Sequence, residues 1–416
     1  MCYKALSPLA LIAALLLTAC GGGGGGSSTS PPTGGKTSIH QRYQGIWIAE
    51  AYGSVLDISD NSLRILDYTS AFCLLRVNES GVTTADIEML LRVRDGQLEE
   101  FGSNGTADFG APAERYAPTD TLPPSCREGV TSVAGDKDYQ RDASRDFALY
   151  AQLLDEYSIY PALRHVDIGA LYSEQASQLT ATSSDEALLE ALYTLTVPLA
   201  DAHTTVSSHL GAIQVLNKPT LEQRLAQEYL AREAITPPLS DDQLQAVNAY
   251  IGEELARDRQ VTLSYAGDAV VQRDAAQLVT WFSHDALGYL AIDAMTGFAT
   301  EDDNAAQLSA LEATLDRALK DLQDVEALII DLRRNGGGQD FLSLAIASRF
   351  AGNSTLAYRK QARLGSGRTQ LDDVVLQPRG DIQLLRPVVL LTRTGTTRGA
   401  GVFTGARGAQ AQDALT

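Results

Sequence analysis

Two short stretches hold residue types at spacings suited to chemistry: DLRRNGGG, Asp331 to Gly338, and LADAHTTV, Leu199 to Val206. In the first, an apolar run stops, three glycines follow, and a helix is expected to begin near Gln339. Glycines let backbone N–H groups approach a ligand unobstructed, and a helix start adds partial positive charge. Phosphate binding is one use of such a corner, but the sequence has neither the Gly-Lys-Ser/Thr ending of a P-loop nor the spacing of a dinucleotide fingerprint. A second use is an oxyanion hole, in which the amides stabilise a tetrahedral intermediate. A plain strand-to-helix turn is the third. In the other stretch, His203 follows Pro198, which ends a helix, and sits among small polar residues. An imidazole there can take a hydroxyl proton near neutral pH. An exposed or capping histidine is the alternative. His40, His165, His209 and His284 have no motif around them.

Such residues need a frame. From about Val261 the chain alternates in period: VTLSYAGDAV and ALGYLAIDAM read as strands and NAAQLSALEATLDRALKDL as an amphipathic helix. VEALIIDL reads as a continuous apolar strand, FLSLAIASRFAG as a helix, and RPVVLLT as another apolar strand. Apolar strands separated by helices predict an α/β core whose sheet is covered on both faces, with right-handed crossovers. Residues 140–260 read as a helical module carrying the histidine motif. DFALYAQLLDEYSIYPAL is helical in period, and SSDEALLEALYTLTVPL opens with a capping box of Ser183 and Glu186. LEQRLAQEYLAREA and DDQLQAVNAYIGEELARD are split by Thr236-Pro237-Pro238. Residues 38–134 read as a small β-rich module: GIWIAEAYG, SVLDIS, SLRILDY, FCLLRVN and ADIEMLLRVRDG alternate between turn residues. Trp47 and Tyr52 are the one hint of a glycan- or protein-binding surface on that module, with core packing as the competing explanation.

The stretch ALIIDLRRNGGGQDFLSLAIASRFAG closely resembles the signature of the tail-specific (C-terminal-processing) serine peptidases. GYLAIDAMTGF resembles the strand ahead of their amphipathic helix, and PVVLLTRTGTT the strand that delivers their nucleophile. The likeness runs from about Phe147 to Phe403. It implies a crotonase-like (ClpP-like) peptidase core over 261–416, hydrolysis through a seryl acyl-enzyme, a peptide or protein substrate, and no cofactor or metal. In the tricorn-core branch a histidine in a matching motif is the general base, which implies that role for His203. The amides of Gly337 and Gly338 are implied as oxyanion donors. Members of that branch carry no obvious PDZ module; none is readable here, and a helical segment from Leu221 to Asp258 fills the interval.

The family's delivering strand is followed by a Thr-x-Ser-Ala-Ala/Ser-Glu run and an apolar pair. Setting Val402-Phe403 on that pair puts Arg398 at the nucleophile and Gly399 at the second oxyanion amide, with Gly401 in place of the glutamate. Arginine cannot attack a carbonyl. Thr396 and Thr397 carry hydroxyls nearby, but a one-residue slip misplaces an oxygen by about 3.3 Å. The tail from Arg398 to Thr416 is rich in Gly, Ala and Arg, and the family continues through a further strand-bearing stretch. The expectation is therefore a truncated or frame-disrupted member of an active family. Its rival is a genuine pseudo-enzyme that binds peptides without cutting them.

At the other end, MCYKALSPLALIAALLLTA (1–19) has a single charge, Lys4, and an apolar core too short to span a bilayer comfortably. Leu17-Thr18-Ala19-Cys20 resembles a bacterial lipobox, which implies cleavage before Cys20 and lipid on its thiol. An ordinary secretory signal is the alternative. Residues 20–37, with GGGGGGSSTSPPTGG, read as a flexible tether. Gly21 after the cysteine resembles an outer-membrane sorting position, so the expected place is the cell envelope, held by the lipid alone. Of four cysteines, Cys2 leaves with the signal and Cys20 is used for lipid. Cys73 and Cys126 remain, outside the cytoplasm, and are expected to pair, two free thiols being the alternative. The 416 residues are 44% hydrophobic and 20% charged, enough for a large core, with a formal net charge of −19. That sign, with no basic stretch in the sequence, argues against nucleic acid, which needs clustered Lys and Arg.

Overall fold

The structure, a computed structural model, describes residues 38–101, 113–201, 203–214, 219–300 and 303–393. The chain divides into two compact units. One runs up to Val215 and takes in Gln361–Leu371; the other holds Leu216–Lys360 and the chain from Asp372.

In the first unit, β1 (Gly45–Ala49), β2 (Ser54–Ile58), β3 (Ser62–Tyr68), β4 (Cys73–Ser80), β5 (Leu91–Arg94), β6 (Gln97–Glu100) and β7 (Glu114–Thr119) form one sheet. Its order is β4-β3-β2-β1-β7-β6-β5, and every pairing is antiparallel. Alternation explains the packing: Leu63 and Ile65 point into the core while Arg64 between them pairs with Asp57 on β2. ADIEM does not continue the strand pattern. Thr84–Glu88 is a helix, α1, because Thr83 and Asp86 form a capping box at its start. Trp47 is 7% exposed and its indole N–H donates to the Tyr43 carbonyl, so it is a core residue rather than half of an exposed aromatic pair. Cys73 on β4 is disulfide-bonded to Cys126 on α2 (Pro124–Glu128).

Four helices follow: α3 (Ala143–Tyr157), α4 (Tyr160–Arg164), α5 (Ile168–Ala176) and α6 (Asp185–Thr196). Phe147, Ala151 and Leu154, at helical spacing, pack with Ile168, Leu195 and Leu199. The cap of α6 is Ser184, whose hydroxyl accepts from the Ala187 N–H. Ser183, the expected cap, instead accepts from the Thr180 N–H and closes the preceding turn. A hairpin of β8 (Thr205–Ser208) and β9 (Gly211–Gln214) comes next.

The second unit opens with α7 (Leu221–Arg232) and α8 (Asp241–Ser264), each with a capping box. The sheet contains β10 (Gln272–Arg273), β11 (Val279–His284), β12 (Leu287–Ile292), β13 (Ala327–Asp331) and, at its edge, Val388–Leu391. Helices α9 (Asn304–Asp321) and α10 (Asp340–Ser348) connect its parallel strands. β14 (Thr355–Lys360) is followed by a small hairpin, β15 (Arg363–Leu364) and β16 (Gly367–Arg368), that belongs to the first unit. β17 (Asp372–Leu376) pairs back with β14, and β18 is the edge strand Val388–Leu391. The order is β10-β11-β12-β13-β18; β12, β13 and β18 are parallel.

Both faces of this sheet are covered. Leu290 and Ile292 pack with Leu308, Leu311, Leu315 and Leu319 of α9 and with α10, whose residues from Phe341 to Ser348 are all buried. Tyr289 and Ala291, on the other face, pack with Phe282, Ala266 and Leu263 at the end of α8. That end is a correction: VTLSYAGDAV is not a strand, since Val261–Ser264 finishes α8. Thr262 is buried there with its hydroxyl donating to the Asp258 carbonyl, and this tertiary anchoring outweighs the weak helix preference of β-branched residues.

Candidate active site

The glycine corner lies in the second unit, at the C-terminal end of β13. Asn335 is 1% exposed and holds the turn from inside: its amide N–H donates to the Ile292 carbonyl at 3.0 Å, and its oxygen accepts from the Gly337 N–H at 2.7 Å. Met295 N–H donates to the Gly337 carbonyl at 2.9 Å, and Gln339 N–H to the Met295 carbonyl at 2.8 Å. The corner is thereby stitched to the segment after β12. Gly337 and Gly338 have φ of 100° and 143°, and a Cβ on Gly338 would overlap the Met295 backbone. Gln339 then stands at the N-cap position of α10, with no side-chain capping bond.

This geometry separates the two amides assigned to the oxyanion. The Gly337 N–H is turned inward onto Asn335, a correction to its role as a free donor. The Gly338 N–H has no hydrogen-bond partner among the described residues.

Charges pin the corner to α8. Asp331, 2% exposed, accepts from Tyr289 Oη at 2.7 Å and from Arg333 Nη2 at 2.7 Å and Nε at 3.0 Å. Arg333 also donates to Thr262 at 3.2 Å. Arg334 and Arg259 share Asp293, at 3.1 Å and 2.6 Å, and Arg393 lies 3.5 Å from Asp258. Of these residues, Asp258, Arg259 and Asp293 were not singled out in the sequence. For Asp258 and Arg259 the signal is an acid and a base in the last turns of a helix, which reads as an ordinary solvated face, while Asp293 follows a strand and reads as a turn residue.

Burial pushes the Asp331 carboxyl up, but hydrogen bonds from Arg333 and Tyr289 outweigh it and hold the group below the usual carboxylate range. A depressed folded-state value stabilises the protein above the unfolded carboxylate pKa of about 4, and that contribution is lost as pH falls through the folded value. Asp331→Asn is therefore expected to lower the urea midpoint at pH 7 and to flatten its fall below about pH 4. An acid limb as steep as the wild type's would contradict this.

The histidine loop lies in the first unit. After α6 a short turn, Val197–Leu199, contains Pro198, and Ala200 takes a left-handed φ of 47°. Asp201, 6% exposed, follows. Its carboxylate accepts from the His203 N–H at 3.0 Å and from Thr204 Oγ1 at 2.7 Å, and it lies 3.2 Å from His203 Nδ1. The His203 side chain is 60% exposed. Arg398, Gly399 and Cys20 lie outside the described residues. No group of three or more His, Cys, Asp or Glu among the described residues is arranged to hold a metal.

An apolar parallel strand ending in a glycine corner at a helix N-terminus makes the second unit an α/β fold with a glycine turn at the C-terminal end of its sheet. Residues 286–412 match the model of peptidase family S41. The matched stretch includes the glycine corner, Arg398 and Gly399. Among solved structures, the chain is similar to a candidate peptidase from Parabacteroides merdae, with 20% identity over 64% of this chain and 71% of that one and a TM-score of 0.45. It is also similar to the photosystem II D1 C-terminal processing protease, with 21% identity, 35% and 34% coverage, and a TM-score of 0.23. The third is mature CPAF complexed with lactacystin, with 12% identity, 65% and 83% coverage, and a TM-score of 0.38.

Proposed function

We propose that this chain acts on extended peptides or unfolded proteins in the cell envelope, as a serine-type peptidase of the tail-specific kind anchored through lipid on Cys20. In this reading His203 is the general base and the Gly338 amide an oxyanion donor, with the Gly399 amide as the second. The observation that supports it most is the glycine corner. Only glycine fits at position 338, the N–H there has no partner among the described residues, and a helix N-terminus follows directly.

Arg398, at the register of the family's serine, favours a second reading in which the same corner binds a peptide and nothing attacks it. The full chain, incubated with a fluorescent extended peptide and with a fluorophosphonate probe, separates the two. Turnover with a covalent adduct supports the peptidase. Saturable peptide binding without turnover or adduct selects the second reading, and Arg398→Ser is then the variant in which an adduct is sought. Neither binding nor turnover overturns both. Lipid attachment is tested separately: an alkyne fatty acid is expected to label the wild type and not Cys20→Ser.

A further inference from the structure

We propose that Asp201 is a positioning residue that fixes the tautomer of His203, placing the ring proton on Nδ1 and leaving Nε2 as the basic nitrogen. This rests on the assignment of His203 as general base, and concerns the atom that would do the work. Asp201 is buried while the ring it faces is largely exposed. Its carboxylate accepts from three groups: the His203 backbone N–H, the Thr204 hydroxyl and the Tyr160 hydroxyl. Burial pushes this carboxyl up, yet the hydrogen bonds from Thr204, His203 and Tyr160 together hold it below the usual carboxylate range. An ionised carboxylate has no proton to give. The contact between its Oδ1 and His203 Nδ1 at 3.2 Å can therefore be made only by a ring that donates from Nδ1. Nε2 then keeps its lone pair.

The backbone supports the same reading. Ala200, with a φ of 47°, takes a left-handed conformation that is unfavourable for a residue with a Cβ, and it does so one position before Asp201. Strain of this kind persists where the surroundings over-determine it, often beside a functional group. Here it turns the chain from the end of α6 so that the carboxylate is buried and the ring is not. The roles are divided accordingly: Thr204 and Tyr160 orient Asp201, Asp201 orients the imidazole, and only the imidazole is open to an attacking hydroxyl.

The test is side-chain nitrogen NMR on the full chain labelled with ¹⁵N-histidine, at alkaline pH where imidazoles are neutral, with His203→Gln to assign the signals. The expected result is a protonated Nδ1 and an unprotonated Nε2 on His203 in the wild type. In Asp201→Asn and Asp201→Ala that preference is expected to be lost or reversed. A wild-type ring protonated on Nε2 overturns the inference, as does a tautomer unchanged in a folded Asp201 variant. Should neither variant fold, the wild-type tautomer alone decides. In a peptide-cleavage assay, loss of the tautomer is expected to lower kcat by about 10²–10⁴-fold with KM little changed. A chain that cleaves nothing but keeps Nδ1–H removes the peptidase reading and leaves the Asp201 assignment standing.

Discussion

Replacing Gly338 with alanine is expected to destabilise the second unit by about 2–5 kcal/mol, combining about 1–2 for a left-handed backbone with about 1–3 for overpacking. Both parts are visible in the corner: φ is 143°, and the added methyl group falls on the Met295 carbonyl. The clash lands on the bridge that joins the corner to the segment after β12, so relief by movement breaks the bond from Gln339 N–H to Met295. Urea unfolding measures the loss, and amide exchange at Gln339 locates it. The neighbouring Gly336 is the control. A Cβ there meets nothing within 4 Å, so Gly336→Ala is expected to change the midpoint little. Equal losses at the two positions would mean that the corner is not held as described. Peptide binding is expected to fail in Gly338→Ala and to survive in Gly336→Ala.

The second large effect is expected in the first unit. The Cys73–Cys126 bond closes a loop of 53 residues between the edge strand β4 and α2. Loop-closure entropy over that length corresponds to about 4 kcal/mol. Cys73 is fully buried and Cys126 nearly so, packed with Val55 and Leu66, so the bond forms part of a small apolar cluster as well as a tether. The double variant Cys73→Ser, Cys126→Ser is expected to unfold at much lower urea than the oxidised protein. The transition can be followed by Trp47 fluorescence in a Trp281→Phe background, since the chain has two tryptophans. A midpoint unchanged by reductant would show that the two thiols contribute only as packed side chains.

The parts of the fold legible in the sequence are those where one pattern governs. Leu308, Leu311, Leu315 and Leu319 repeat at helical spacing, and α9 lies where they place it. ALII is continuously apolar because β13 has a strand on either side in its sheet, and the following glycines announced the turn. The pattern failed where distant contacts decide. Val261–Ser264 looks like a strand by composition, but Thr262 is anchored by Arg333 from the corner, seventy-one positions away, and stays helical. The strand β11, Val279–His284, went unread although VTWF is rich in β-forming residues. Its turn at Asp285, in a left-handed conformation, carries no glycine to mark it.

The same distinction holds at the candidate site. Glycines advertise a backbone need in the sequence, whereas the partners of Asn335 and Asp201 are backbone groups and hydroxyls that any sequence supplies. Asn335 lies inside the stretch that was singled out, yet its two bonds, to Ile292 and Gly337, exist only in three dimensions. The acid two positions before His203 was the available signal for the pairing at Asp201. It is a weak one, because aspartate is common in turns, where its carboxylate bonds nearby backbone N–H groups.

One feature of the sheet limits how the chain can vary. β13 and β18 run side by side in parallel, with Asp331 opposite Leu391 and the Leu332 N–H bonded to the Leu391 carbonyl. Both strands therefore leave the sheet at the same level, and the length of the connection before β18 sets which residue stands there. Inserting or deleting one residue between Leu384 and Val388 would either be absorbed in the loop or turn every β18 side chain to the opposite face. The pairing acts as a ruler: it sets which residue of the chain leaves the sheet beside Asp331.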